Sequence, residues 1–139
     1  MDSNERVADG VLSCTLPRAE WTHEAHLRFA FDTIHRHGVE RALEVSRVVI
    51  RNYNDATGLA NTDTSGYHET LTVYYCAAVA VLIAGECTVD DVVTDLSVTR
   101  DAPLKYWDRA VLFGVEARLR WVDPVHVLPF PVSAVLCHS

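Results

Sequence analysis

The sequence predicts an all-α protein: a single helical domain over residues 1–139, with four main helices in one bundle, short C-terminal helices and extended termini. Three observations predict this class. Apolar residues recur at intervals of three and four along four stretches, which is the period of an amphipathic helix. The first three stretches each end at a glycine, which commonly stops a helix. Hydrophobic residues make up 49% of the 139 residues, which suits one compact core.

The chain begins with a predicted extended lead-in and continues into a first helix. Residues 1–20 are interpreted as lacking helical periodicity, and they include Pro17. A helix is predicted over residues 21–37, because Thr22 can act as its N-cap and Gly38 as its stop. Its apolar side chains cluster on one face, so the helix has a core side and a solvent side.

Two further helices are predicted from the same pattern over residues 39–57 and 67–84. The second of these is apolar almost all round, which is typical of the central helix of a bundle. Its longest apolar run, residues 71–84, is shorter than the roughly 20 residues that a bilayer-spanning helix needs. We therefore expect this helix to be buried in protein, and we expect no membrane partner.

The fourth helix is predicted to begin at Thr88, with Asp91 three residues later as its capping-box partner. Its inward stripe is predicted to comprise Val89, Val92, Val93 and Leu96. Beyond it, short helices are expected to start at Asp108 and near Gly114. The final segment contains three prolines, which favours an extended wrap over a helix.

Composition restricts the classes of function and location. The chain has 12 basic and 19 acidic residues, and this net charge of -7 opposes capture of a phosphate backbone, so no nucleic-acid partner is expected. The first ten residues are polar and acidic rather than leader-like, which predicts a cytoplasmic protein. The cysteines are far apart and form no CxxC pair, so reduced thiols are expected at Cys14, Cys76, Cys87 and Cys137.

Two segments place polar side chains where the helical period expects apolar ones. WTHEAHL carries His23 and His26 at the start of the first helix, and GYHET carries His68 and Glu69 at the start of the most apolar helix. Successive helices of a bundle alternate in direction, so the two helices that carry these segments should run the same way. We therefore expect the three imidazoles to converge at one end of the bundle.

Three interpretations of this histidine cluster stay open. His23, His26 and His68 can supply three nitrogen ligands to one transition-metal ion, with Glu69 or a water completing the shell. Alternatively, the imidazoles act as general acid or base without a metal, because a helix N-terminus favours the neutral form. In the third interpretation, His23 and His26 only bond to backbone groups of the lead-in or to threonine side chains and fasten the N-terminal segment to the bundle.

Aromatic and cationic residues near this cluster are secondary candidates. Tyr67 and Tyr75 can line the pocket as hydrogen-bond donors that orient a substrate, although aromatic residues at helical spacing more often belong to the core. The loop after the fourth helix contains Arg100, Lys105, Tyr106 and Trp107. A cation beside aromatic rings suits an anionic or planar ligand, but the same loop can simply cap the bundle.

The chain resembles a family of small uncharacterised bacterial helical proteins with WTHxAHL and NTxTSGYHET segments. The matching stretches here are WTHEAHL, RNYNDATGLANTDTSGYHETLT and APLKYWDRAVLFGVEARLRWVDP. Gly114 stands where such proteins tend to have a serine helix cap. The resemblance implies a helical fold and an accessory role in bacterial metabolism, including natural-product pathways. It also draws attention to four residues, namely His23, His26, His68 and Glu69.

The leading functional hypothesis is a small bacterial accessory enzyme that acts on a small molecule in a histidine-rich pocket at one end of the bundle. The alternative is a non-catalytic protein that binds or sequesters a small molecule in an apolar cavity with a few polar anchors. A third hypothesis is an interaction module, in which the apolar tail Val125–Cys137 seals a homodimer.

Overall fold

The computed structural model describes residues 3–136, and within that range the protein is all-α, as predicted, with no strand. Its α-helices are α1 (Ser3–Leu12), α2 (His23–His37), α3 (Val39–Ala56), α4 (Glu69–Ala84), α5 (Val89–Thr94), α6 (Arg109–Leu112), α7 (Val115–Leu119) and α8 (Ser133–Leu136). Short 3-10 helices span Arg18–Glu20, Leu96–Val98 and Ala102–Lys105. The prediction for the Cys137 thiol lies outside the described residues, and Cys14, Cys76 and Cys87 are free, as predicted.

The predicted caps of α2 and α5 are confirmed, while α2 and α4 each begin two residues later than predicted. The Thr22 hydroxyl accepts a hydrogen bond from the Ala25 N–H at 3.2 Å and so caps α2. Gly38 ends α2 with φ +83°, a conformation that side chains disfavour. Thr88 and Asp91 form the predicted reciprocal capping box at the start of α5.

Helix α4 lies at the centre of the main core and packs against α2 and α3. Its Val73, Tyr74 and Val79 side chains are completely buried. Apolar residues from the other helices and from the C-terminal tail surround it, which explains why α4 is apolar on nearly all sides. None of the described helices combines the length and apolar character required to cross a membrane.

A second, smaller hydrophobic cluster joins the N-terminal segment to α2 and α3. We call it the N-terminal cluster, and its buried members are Val7, Val11, Leu16, Trp21, Ala25, Phe29, Ile50, Tyr53 and Tyr67. The Tyr53 hydroxyl donates to the Leu16 carbonyl at 2.7 Å, so a buried hydrogen bond holds the chain between α1 and α2 against α3. This cluster forms one flank of the candidate site.

The prediction of an extended lead-in is wrong for residues 3–12, which form α1. The buried residues of α1 lie on one helical face at intervals of three, one and three, which is a helical period: Asn4, Val7, Ala8 and Val11. Gly10 allows the chain to turn back tightly, since a Cβ there would lie 2.9 Å from the Leu16 Cβ. The Leu16 N–H also donates to the Gly10 carbonyl at 3.0 Å.

The C-terminal half confirms some predicted positions and corrects others. Helices α6 and α7 begin directly after Asp108 and Gly114, as predicted. Helix α5 ends earlier than its apolar stripe suggests, and Leu96 is 78% exposed rather than inward. The tail is not purely extended, because it contains α8, and Phe130 and Val135 are buried in the main core. The tail therefore packs against its own domain.

Candidate functional site

An open cavity of about 640 Å³ is lined by the N-terminal ends of α2 and α4 and by the segment that includes α6 and α7. All three predicted histidines, His23, His26 and His68, line it, so the arrangement of α2 and α4 does bring these residues to one place. Aromatic rings form much of its wall: Trp21, Phe29, Tyr67, Tyr75 and Phe113. Space of this volume accommodates a drug-sized organic molecule.

His26 is the most solvent-accessible of the three imidazoles, although surrounding protein atoms desolvate its ring enough to affect its pKa. Its ring stacks on Trp21 with centroids 3.7 Å apart, and its Nδ1–H donates to the Thr22 carbonyl at 2.7 Å. Desolvation is the main cause that lowers the pKa of His26 to about 4, and the charges of His23 and Arg18 add to this effect. The hydrogen bond to Thr22 acts in the opposite direction and raises the pKa. Neutral His26 therefore keeps an Nε2 lone pair with no partner among residues 3–136.

His23 connects the start of α2 to the segment after α5. Its Nε2–H donates to the Val98 carbonyl at 2.8 Å, and its ring meets Tyr75 edge-on at a centroid distance of 5.1 Å. The hydrogen bond fixes the proton on Nε2, so in the neutral form Nδ1 is an acceptor. No described residue bonds to that nitrogen.

His68 is instead fully engaged by the fold. It is the N-cap of α4, where its Nδ1 accepts from the Leu71 N–H at 3.1 Å. Its Nε2–H donates to the Leu112 carbonyl at 2.7 Å, which ties α4 to α6. Burial lowers the pKa of His68, and the nearby charge of Arg118 lowers it further. Neutral His68 thus has both ring nitrogens occupied, and its structural role was not foreseen from the sequence.

The structure does not assemble the predicted metal site. A metal ligand needs a free nitrogen lone pair, and the hydrogen bond from Leu71 already uses the one on His68. Among the described residues, no group of three or more His, Cys, Asp or Glu side chains is placed to hold a metal ion. The interpretation of His23, His26 and His68 as a three-nitrogen metal centre is corrected accordingly.

Glu69 also differs from its predicted role. Glu69 is 5% exposed and is not among the described residues that line the cavity. Its carboxylate pairs with Arg47. The Arg47 Nε donates to Oε1 at 2.9 Å, and Nη2 of the same guanidinium also donates to the carboxylate. The Tyr67 hydroxyl donates to the same carboxylate at 2.8 Å. Glu69 therefore positions the Tyr67 ring in the cavity wall and does not face a ligand.

The two predicted tyrosine donors have no proton left for a substrate. Tyr67 donates to Glu69, and Tyr75 donates to the carbonyls of Thr99 at 2.9 Å and Arg100 at 3.1 Å. Burial raises the pKa of both phenols, and the negative charge of Glu69 adds to the effect on Tyr67. Both tyrosines therefore contribute ring surface to the cavity.

Arginine side chains are the feature that sequence reasoning largely missed. Four of them line the cavity, namely Arg18, Arg100, Arg109 and Arg118. The sequence analysis singled out only Arg100, because the other three come from separate segments and share no local motif. Asp101 is the one acidic residue among the described residues around the cavity.

Comparisons with known proteins name no relative. The chain matches no protein-family model, no curated protein and no solved structure. The resemblance to small bacterial proteins with WTHxAHL segments therefore stays a prediction, and the site is interpreted from its own geometry.

Proposed function

We propose that this protein binds a small organic molecule in the cavity without transforming it. The observation that carries the proposal is a space of about 640 Å³ with aromatic walls, in which the imidazoles and phenols are already held by bonds to the protein. Most small-molecule sites combine a preformed apolar concavity with a few polar groups. A wall that is fixed before binding loses little conformational entropy when the ligand arrives.

The imidazoles of the α2 end offer acceptors to the ligand. The protons of His23, His26 and Tyr75 are donated to backbone carbonyls. The remaining lone pairs on His23 Nδ1 and His26 Nε2 can receive a hydroxyl or N–H group of a ligand. These acceptors provide orientation, and the aromatic rings provide contact area.

Binding is favoured over acid–base catalysis because burial shifts the pKa values of His26, Cys76 and two phenols of the cavity away from neutral pH. Desolvation lowers the pKa of His26 to about 4 and raises that of the buried Cys76 thiol to about 12. Burial also raises the phenol pKa values of Tyr67 and Tyr75. A general acid or base is most effective when its pKa lies near the working pH. The enzyme hypothesis, with its predicted acid–base histidines, is therefore the weaker candidate.

Binding of a neutral fluorescent probe, N-phenyl-1-naphthylamine, tests the proposal. We expect saturable binding of one probe per chain. Leu71 lines the cavity, so Leu71→Trp should fill part of it and weaken the probe affinity about tenfold or more. Leu96→Trp is the matched control, because Leu96 is strongly exposed and lies outside the cavity.

The outcomes separate clearly when circular dichroism shows that both variants are folded. Loss of affinity in Leu71→Trp with unchanged affinity in Leu96→Trp supports the cavity as a ligand site. Absence of saturable binding, or equal affinity in both variants, overturns the proposal.

A further inference from the structure

We infer that the ligand of this cavity is an organic anion, a molecule with an apolar or aromatic body and a carboxylate or phosphate group. The inference rests on the proposed binding function and adds the charge of the ligand. It is carried by the guanidinium groups around the cavity and by their lack of acidic partners.

The cavity concentrates positive charge on a chain that is negative overall. Four of the eleven arginines line it, against one of the nineteen acidic residues, although the whole chain carries a net charge of -7. Charges separated by more than about 8–10 Å are largely screened at physiological salt. A bound ligand therefore experiences the local excess of arginine more strongly than the distant acidic surface.

None of these four guanidiniums forms an ion pair with a carboxylate in the described part of the chain. The arginines that do form such pairs lie elsewhere: Arg6, Arg28, Arg36, Arg47 and Arg120. An arginine already neutralised by a carboxylate attracts an anion weakly. The cavity arginines keep their full charge for a ligand.

Two of the four also keep their donors. The Arg100 side chain makes no hydrogen bond or ion pair with residues 3–136, although its backbone carbonyl accepts from Tyr75. The Arg109 guanidinium lies over the Phe113 ring, 5.7 Å from its centroid, and forms no hydrogen bond or ion pair with residues 3–136. A guanidinium fork of this kind matches a carboxylate or phosphate bidentately.

The other two arginines are held in place by neutral acceptors. Arg18 donates through Nη1 to the Asn54 amide oxygen at 2.8 Å and to Thr57 at 3.1 Å. Arg118 donates through Nη1 to the Gly66 carbonyl at 2.8 Å. Each bond uses donors of one nitrogen and leaves others, so the group is oriented without loss of charge.

The body of the ligand is inferred from the same wall. Trp21 with its stacked His26, Tyr75 and Phe113 present ring surface within the cavity that the arginines border. Aromatic walls favour planar apolar groups. A single ligand that contacts both sets of residues must be amphipathic.

Isothermal titration with matched probes tests the inference. 2-Naphthoate and 2-naphthyl phosphate are the anionic probes, and 2-naphthamide is the neutral analogue of the first. We expect each anion to bind about tenfold more tightly than the amide, because charge-assisted hydrogen bonds replace neutral ones. The double variant Arg100→Met/Arg109→Met should lose this preference and bind all three probes with similar affinity.

Arg41→Met is the control for net charge, since Arg41 is exposed on α3 and lies outside the cavity. It should retain the anion preference of the wild-type protein. A carboxylate preference over the phosphate, or the reverse, identifies which anion the arginines fit better.

The results distinguish the two proposals. Equal affinity of wild-type protein for naphthoate and naphthamide overturns the anion inference and leaves the binding function standing. Retention of the anion preference in the Arg100→Met/Arg109→Met variant also overturns it. Absence of saturable N-phenyl-1-naphthylamine binding contradicts the binding function itself.

Discussion

The N-terminal ends of α2 and α4 carry similar histidine-containing segments, yet the structure uses them differently. At α4, His68 caps the helix, bonds Leu112 with its second nitrogen and is buried. At α2, Thr22 supplies the cap and His26 stacks on Trp21 with one nitrogen unpartnered among the described residues. The His68 imidazole therefore has a structural role, whereas the His26 imidazole has one nitrogen available to a ligand.

The difference shows that the position of a histidine in a helix does not decide its role. Both segments place an imidazole near a helix N-terminus, where the neutral form is favoured. What separates the two sites is whether a conventional N-cap residue is present. The Thr22 side chain accepts from an N–H group of α2, so the histidines there are not needed as the cap, whereas at α4 the His68 ring itself is the acceptor.

The largest expected contrast comes from the first-turn glutamates of the two helices. Glu69→Ala removes the buried partner of Arg47 and Tyr67 and should lower the free energy of unfolding by about 3 kcal/mol. Glu24→Ala should cost about 0.5 kcal/mol, because Glu24 is exposed and pairs with Arg28 at the surface. Urea unfolding of both variants measures the difference, and equal losses would contradict the structural role of the α4 end.

Replacing the two histidines should give a smaller contrast of the same direction. His68→Ala removes an N-cap and a buried hydrogen bond, so we expect a loss of about 2 kcal/mol in unfolding free energy. His26→Ala should cost about 1 kcal/mol or less, since it removes a stacked ring and a local bond.

Affinity for N-phenyl-1-naphthylamine should follow the opposite order. His26→Ala should weaken probe binding about fivefold, equivalent to roughly 1 kcal/mol of lost ring contact. His68→Ala, measured at a temperature where it is folded, should stay within about twofold of the wild-type affinity. If His68→Ala weakened probe binding more than His26→Ala, the assignment of a structural role to His68 and a ligand-binding role to His26 would be wrong.

A pH dependence is also expected at the α2 end. Folding holds the pKa of His26 at about 4, below its ordinary value of 6.5, so the unfolded chain binds more protons between these pH values. The contribution of His26 to stability is therefore complete above pH 6.5 and is lost as the pH falls towards 4. His26→Gln should lose less stability than the wild-type protein between pH 7 and pH 5 in urea unfolding. Identical slopes for the two proteins would show that His26 is not desolvated.

Much of the fold was predictable from the sequence because local chemistry specifies it. Thr22, Gly38 and the Thr88 capping box set helix ends through bonds to residues near them in the chain. The errors fall where distant contacts decide. The α1 stripe is short and includes a polar Asn4, and Leu96 breaks from its stripe because α5 ends at Thr94.

The site was predictable only in part for the same reason. The direction of the helices was enough to bring His23, His26 and His68 to one cavity. The sequence could not show that the carbonyl of Leu112, 44 residues away, accepts a hydrogen bond from His68. It also could not show that Arg47 pairs with the Glu69 carboxylate. The arginines converge from separate segments, so no spacing pattern marks them.

The most direct test of the central claim is a ¹H–¹⁵N correlation spectrum of the histidine side chains, recorded with and without 2-naphthoate. We expect the Nε2 resonance of His26 to shift on addition of the probe, while the resonances of both ring nitrogens of His68 keep their positions. Shifts at His68 with none at His26, or no shift at either residue under saturating probe, would contradict the account.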